Sequence, residues 1–323
     1  MKTRSRLIAA ACLVLVEAAC GGTSSRTRYL SVATGGPGGV YYPYGGALAR
    51  IVSQKLPNVQ ATAEVTGGAV DNVKLLHLGK VDLAFTLTDT LAEAVTGRGP
   101  FQDSGAIGNI RTVAVLYTNF THVVARQGSG IRTVADLKGK VVSTGSPGSG
   151  TEFIADRVLG AAGVDPRAGL TRHALSASES AGALKDGKLD AFFWSGGVPT
   201  PAVQELASTP GMTITLVPQD DLVALLQRDF GAKLYRLAAI PANTYRGVDG
   251  DVAVIGVTNV LLASSALDDS LVYDIVTLMF DEKNALVAAH PEARHLAVPA
   301  SDDASPAPFH AGAIRYYKEH GWK

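Results

Sequence analysis

At 323 residues the chain is longer than one compact core of ~100–200 residues usually holds, so two domains or lobes are expected. Its composition, 46% hydrophobic and 18% charged, excludes a disordered chain, and 29 basic against 29 acidic residues leave no electrostatic footprint for nucleic acid or a strongly anionic membrane. The 35 glycines are clustered, and the clusters are where function has to be sought.

The first element is an address. Lys2, Arg4 and Arg6 precede an uninterrupted apolar run over residues 7–16, and Ala18 and Ala19 stand before Cys20. A basic start, a short apolar stretch and a small-residue cleavage site make residues 1–19 a bacterial secretory signal. The run is about half the ~20 residues that span a bilayer, so it is not a lasting transmembrane helix. Val16-Glu17-Ala18-Ala19-Cys20 resembles a lipobox, with Glu17 where an apolar residue is usual, and marks Cys20 for lipidation. Cleavage there removes Lys2, Arg4, Arg6 and Glu17, leaving 26 basic against 28 acidic residues, and it removes Cys12, leaving no cysteine pair for a disulfide. Residues 20–28, rich in Gly, Ser and Thr, read as a flexible tether.

Strands and helices then alternate. Residues 29–34 form a short apolar strand closed by Gly35, Gly36, Gly38 and Gly39. Leu48, Ile51, Val52 and Leu56 have helical spacing, and Pro57 stops that helix. Residues 59–65 read as a strand ending at Gly67 and Gly68, Val70, Val73 and Leu76 mark a short helix, and residues 81–87 the next strand. Thr90 and Glu93 have the spacing of a capping box for the helix that follows. The same grammar resumes at residues 140–144, which lead into Gly145-Ser146-Pro147-Gly148-Ser149-Gly150 and a helix over 151–162. Residues 189–194 lead into Ser195-Gly196-Gly197 and a helix through Val203 and Leu206. Strands that each feed a glycine turn and a helix are βαβ units, which predict an α/β fold with mostly parallel sheets.

In open α/β sheets the ligand crevice lies beyond the carboxyl ends of the strands, where these turns are. A glycine turn admits a ligand close to the backbone, and the helix after it presents free N–H groups with a partial positive charge of about half a unit. Two such termini facing across a cleft would hold a small anion without an arginine. Enzymatic signatures are missing from the sequence. There is no G-x-x-x-x-G-K-[ST], residues 145–150 run G-x-x-G-x-G rather than G-x-G-x-x-G, and Ser149 lacks the glycines of a nucleophile elbow. His290 and His295 do not share a helical face, and H-E-x-x-H and Cys/His zinc spacings are absent. Asp220-Asp221, Asp268-Asp269 and Asp302-Asp303 are expected to cap helices or sit in turns. The expectation is a protein that is not an enzyme and needs no cofactor or metal.

Five stretches together resemble one family, the TAXI solute receptors of TRAP (tripartite ATP-independent) transporters. They are Thr34-Gly35-Gly36-Pro37-Gly38-Gly39-Val40-Tyr41-Tyr42-Pro43, Gly67-Gly68-Ala69-Val70-Asp71-Asn72, Gly148-Ser149-Gly150-Thr151-Glu152, Asp190-Ala191-Phe192-Phe193-Trp194-Ser195-Gly196-Gly197-Val198-Pro199 and His310-Ala311-Gly312-Ala313-Ile314-Arg315-Tyr316-Tyr317-Lys318-Glu319. Ala69 replaces a usual serine, and Ala311 a usual proline. The resemblance implies a two-lobed periplasmic-binding-protein fold (type II-like) with hinge strands near residues 121–125 and 254–262. Lobe 1 would be 29–121 plus 258–323, and lobe 2 would be 122–257. It implies a receptor, periplasmic or on the outer face and lipid-anchored, that delivers a small carboxylate or amino acid to TRAP membrane subunits. The ligand class would be glutamate, glutamine or a dicarboxylate.

On that resemblance the ligand-binding residues are Thr34, Gly35, Gly36 and Gly39 for an acidic group, Tyr41 to pack a carbon chain, and Asn72 for a carboxylate or amide. Thr88 and Asp89 end a strand at cleft level, where Asp89 would hold a ligand ammonium or cap the next helix. Ser149, Gly150 and Thr151 would present the second helix terminus, with Trp194 and Gly197 as a wall. Gly312, Tyr316 and Tyr317 are assigned to docking of the last helix. An ABC-type receptor of the same architecture and an extracellular hydrolase using Ser149 are the alternatives, the latter requiring a histidine such as His173 beside Ser149.

Overall fold

The computed structural model describes residues 26–322; the secretory signal, the Cys20 lipidation site and the tether up to residue 25 lie outside the described residues. The chain follows the expected alternation: β1 (Arg28–Ala33), α1 (Tyr41–Lys55), β2 (Val59–Glu64), α2 (Ala69–His77), β3 (Leu83–Leu87) and α3 (Thr88–Thr96). The long β4 (Ile110–Arg126) leads to β5 (Val141–Ser143), α4 (Gly150–Ala161), β6 (Thr171–His173), α5 (Ala177–Lys185), β7 (Ala191–Gly196) and α6 (Pro201–Ser208). Then come β8 (Ile214–Leu216), α7 (Asp220–Phe230), β9 (Arg236–Ile240), the long β10 (Val252–Ser264), α8 (Asp269–Asp281), α9 (Lys283–Ala289) and α10 (Ala311–Glu319). None of these helices is long and apolar enough to cross a membrane.

The strands make one ten-stranded sheet in the order β2-β1-β3-β10-β4-β7-β5-β6, with β8 beside β4 and β9 beside β10. The pairs β1–β2, β1–β3, β5–β6 and β5–β7 are parallel, as βαβ crossovers demand. Every antiparallel pair involves β4 or β10. β4 has 17 residues and β10 has 13, and they pair with each other from Gly256↔Phe120 to Ser264↔Ile110. At ~3.3 Å per residue β4 reaches over ~55 Å, enough to serve both halves of the molecule. These two strands contain the segments expected as hinges, and they carry the chain between the halves in opposite directions.

Each half is a three-layer sandwich. In the first lobe, α1, α8, α9 and α10 cover one face over Leu48, Ile51, Ile275 and Tyr317, while Val70, Leu76 and Leu91 of α2 and α3 cover the other. In the second, β4 alternates: Val123 and Ala125 face α4 and α7, and Val124 faces α5 and α6. Each fully buried aliphatic side chain contributes about 1.5–3 kcal/mol. The last helix docks as the glycine at its start suggests, because a Cβ at Gly312 would run into the Asp269 carbonyl of α8, and Tyr317 donates to Val113 O (2.8 Å).

The paired aspartates act as expected. Asp268 caps α8 by accepting from Leu271 N–H (2.9 Å), and Asp220 and Asp221 form the first turn of α7. The capping box expected at Thr90 and Glu93 is not formed. α3 starts two residues earlier, at Thr88, because β3 runs directly into it, and the Asp89 carboxylate takes the Thr90 N–H instead (2.6 Å).

Candidate functional site

Turns at the carboxyl ends of β1, β5 and β7 converge on a cavity of about 510 Å³ between the lobes. Gly35, Gly36, Gly39, Tyr41, Ser149, Gly150, Thr151 and Trp194, all singled out in the sequence, line it. Four helices begin there: α1 after Val40, α2 after Gly68, α4 after Ser149 and α5 after Ser176. No side chain caps α1. In α4 the Ser149 hydroxyl accepts from Glu152 N–H (2.9 Å), one turn in, so the amides of Gly150 and Thr151 stay at the cavity wall. α5 is closed by a capping box between Ser176 and Glu179. In α2 the N-terminal amides are already used across the cleft: Gly148 O accepts from Val70 N–H (3.1 Å) and Asp71 N–H (3.0 Å). Positive dipole ends from both lobes therefore meet at one cavity, about half a unit of charge each.

Among the lining residues Glu179 is the one charged side chain, exposed at the rim, with one oxygen engaged by Ser176 N–H (2.9 Å) and Oγ (2.7 Å). Those bonds hold its carboxyl below the usual range. Tyr41, Tyr117, Leu87 and Trp194 supply apolar wall, and Tyr41 stacks on Phe85 with ring centroids 5.2 Å apart.

The floor is a polar network on the two long strands. Tyr41 Oη donates to Asn259 Oδ1 (2.5 Å), Asn259 Nδ2 donates to Asn119 Oδ1 (2.7 Å), and Asn119 Nδ2 donates to Ser195 O (3.1 Å). Ser195 N–H then donates to Thr151 Oγ1 (3.0 Å), closing a path from α1 of the first lobe to α4 of the second. Burial first, and the Asp89 charge second, push the Tyr41 hydroxyl well above its ordinary value, so it remains a donor. Tyr117 also lines this cavity; burial holds its hydroxyl protonated, and that hydroxyl has no hydrogen-bond partner among the described residues.

Thr34, Asn72, Thr88, Asp89 and Gly197 do not line the cavity. Thr34 Oγ1 donates to Glu64 O (2.6 Å), tying β1 to β2. Asn72 Nδ2 donates to Thr34 O (2.7 Å) and Phe85 O (2.8 Å), fixing α2 to the strand ends. Asp89 is fully buried and accepts from Tyr235 Oη (3.0 Å), which itself accepts from Arg157 Nη1 (2.6 Å). Arg157 also pairs with Glu93 and lies between the rings of Phe153 (4.1 Å) and Phe230 (4.0 Å), so Asp89 belongs to a lock between α3 and α4. Thr88 is buried and its hydroxyl has no partner among the described residues, and Gly197 gives room to Glu292 and Tyr117. Thr66, Tyr117, Asn119 and Ser195 join the wall without a sequence signal beyond lying next to a glycine turn or on a long strand, and Ser176 and Glu179, which have the Ser-x-x-Glu spacing of a capping box, join it from the start of α5. Ser149, engaged as the α4 cap, has no histidine partner among the described residues.

Residues 32–321 match the model of the NMT1-like family. The chain is also similar in fold to a solved periplasmic transporter, with a TM-score of 0.51 at 14% identity over 92% of this chain and 93% of that one. The periplasmic aliphatic sulphonate binding protein of Escherichia coli matches at TM-score 0.45 and 15% identity, over 91% of this chain and 83% of its own. An ancestral arginine-binding protein bound to arginine matches at 0.47 and 15%, over 83% and 99%.

Proposed function

The chain belongs to the NMT1-like family, and from that membership we propose that it is the extracytoplasmic solute receptor of a TRAP transporter, capturing a small carboxylate or amino acid of the glutamate, glutamine or dicarboxylate class. The observation that carries this reading is the meeting of the bare α1 terminus and the Gly150 and Thr151 amides at one cavity, with Tyr117 in its wall. Such donors suit a carboxylate, because each N–H bond to an anion contributes more than a neutral one. Glu179 at the rim is suited to a ligand ammonium, and Tyr41, Leu87 and Trp194 to its carbon chain. Residues 29–121 with 258–323, and residues 122–257, would be the bodies that close over the ligand, pivoting on β4 and β10. Cys20, lipidated after cleavage, would hold the receptor at the membrane beside its ion-driven partners.

Thermal-shift titration of the mature protein with L-glutamate, L-glutamine and dicarboxylates tests the ligand class. A ligand at 100 times its Kd stabilises by about 2.7 kcal/mol, a rise of several degrees. A melting temperature unmoved by every carboxylate and amino acid would overturn the class. Uptake into vesicles holding the cognate membrane subunits separates the transport modes: an ion gradient alone supports it in a TRAP system, whereas an ABC partner needs ATP.

A further inference from the structure

We propose that Thr200, Tyr245 and His122 are positioning residues for Trp194, fixing the indole wall of the cavity and through it the grip of the closed receptor. The grip rests on the solute-receptor reading above; the positioning does not.

The hydrogen bonds can be assigned proton by proton. Trp194 Nε1–H donates to Thr200 Oγ1 (2.9 Å), and the single Thr200 hydroxyl proton goes to Gly197 O (2.7 Å). Thr200 N–H donates to Tyr245 Oη (3.0 Å). His122 Nδ1 lies 2.8 Å from Phe120 O, which can only accept, so Nδ1 carries the proton. The neutral ring then accepts at Nε2, and the Tyr245 hydroxyl, 2.9 Å away, donates to it. In this assignment each of these hydrogens has an acceptor.

The chain is also a closed loop in space. His122 on β4 stands directly opposite Trp194 on β7, so the two side chains leave the same face of the sheet, and Tyr245 and Thr200 bridge them. Thr200 and His122 are fully buried, and Tyr245 is 1% exposed; none of the three lines the cavity. On its other side the indole lies over Gly196 and against the first lobe, where a Cβ at Gly39 would come within 2.8 Å of its Cη2. A ring held from behind and met by Gly39 in front acts as a fixed stop for closure. Its angle sets the width left for the ligand's carbon chain.

The test uses the full-length mature protein carrying Trp322→Phe, which leaves Trp194 as the one indole. Tyr245→Phe keeps the buried ring and deletes the hydroxyl that joins Thr200 to His122. Acrylamide quenching of Trp194 emission is expected to rise, and the calorimetric Kd for L-glutamate to weaken about tenfold, the worth of one hydrogen bond. Thr200→Val is expected to reproduce both effects and Thr200→Ser, which keeps the hydroxyl, to restore them. In a Trp194→Phe background Tyr245→Phe is expected to add no further loss of affinity, since it acts through the indole. Unchanged quenching in a folded Tyr245→Phe protein overturns the proposal, and so does a loss of affinity that persists without Trp194. Should the parent protein bind no carboxylate, the receptor reading fails, and the quenching series still decides whether these residues position the ring.

Discussion

Gly35-Gly36-Pro37-Gly38-Gly39 and Gly145-Ser146-Pro147-Gly148-Ser149 each follow a parallel strand, carry an exposed proline at the tip and lead into a helix that opens on the cavity. Each turn is closed by the same internal bond, Gly39 N–H to Gly36 O (3.1 Å) in one and Ser149 N–H to Ser146 O (3.1 Å) in the other. They differ in what the glycines are for. None in the first turn has a positive φ, whereas Gly145 (φ 100°) and Gly148 (φ 74°) do. At Gly38 and Gly39 the first turn faces side chains of the second lobe, Ser178 and Ala202 at Gly38 and Trp194 at Gly39. The second offers its backbone: Gly148 O fills the α2 terminus, and Gly148 Cα lies against the Asp71 carboxylate. A glycine cluster in a sequence therefore says that something approaches the main chain; in the first turn that is side chains of the opposite lobe, in the second the opposite lobe's helix start and its Asp71.

Gly148→Ala should break this contrast most severely. An alanine must leave the left-handed region, at about 1–2 kcal/mol, and its methyl would displace Asp71 and the two bonds into α2. We expect closure to lose about 3 kcal/mol and affinity for any ligand to fall more than a hundredfold, measured by calorimetry, with a larger radius of gyration in solution scattering. A wild-type affinity would show that the clasp is dispensable. The first turn's contact across the cleft depends instead on a propped indole, and there acid is the lever. Burial lowers the His122 pKa from 6.5 to about 4, with no charged side chain contributing. A depressed pKa in the folded state gives stability that is complete above the unfolded value and lost as pH falls through the folded one. The window is thus pH 6.5 down to about 4, and the expected loss by pH 5 is about 2 kcal/mol. His122→Gln should remove that part of the slope, read as melting temperature against pH; an identical slope would refute the assignment.

Sequence periodicity carried the βαβ units well, because a strand, a glycine turn and an amphipathic helix each leave a local mark. The hinges on β4 and β10 came from the family resemblance, which did not give their length. The apolar run of β4 is broken by Thr118, Asn119, Thr121 and His122, of which Asn119 helps build the cavity floor and His122 the support of Trp194. Asn72 was drawn to the site by its capacity to donate and accept after a glycine pair and Asp89 by its position at a strand end, and the structure engages both behind it. A buried polar residue and a ligand-contacting one look alike until the partner is known, and the partner of Asp89 is 146 residues away at Tyr235. Tyr117 and Asn259 belong to no motif, so nothing local could announce them.

Two smaller substitutions sharpen the comparison at the helix starts themselves. Thr151→Val keeps the shape of the side chain but strands the buried Ser195 N–H, which should cost about 1.5 kcal/mol of stability and roughly tenfold in ligand affinity. An unchanged affinity would take Thr151 out of the site while leaving its bond to Ser195 intact as a structural fact. Gly36→Ala is the control for the first turn. Gly36 has an ordinary φ, and a Cβ there meets nothing within 4 Å. The folded protein should therefore tolerate it within about 0.5 kcal/mol, as surface substitutions usually are. Gly36 nonetheless lines the cavity, so the added methyl projects into space that a ligand would share. Stability unchanged and affinity reduced would mark the first turn as a ligand surface; stability lost at Gly36 as it is at Gly148 would make the two turns alike after all.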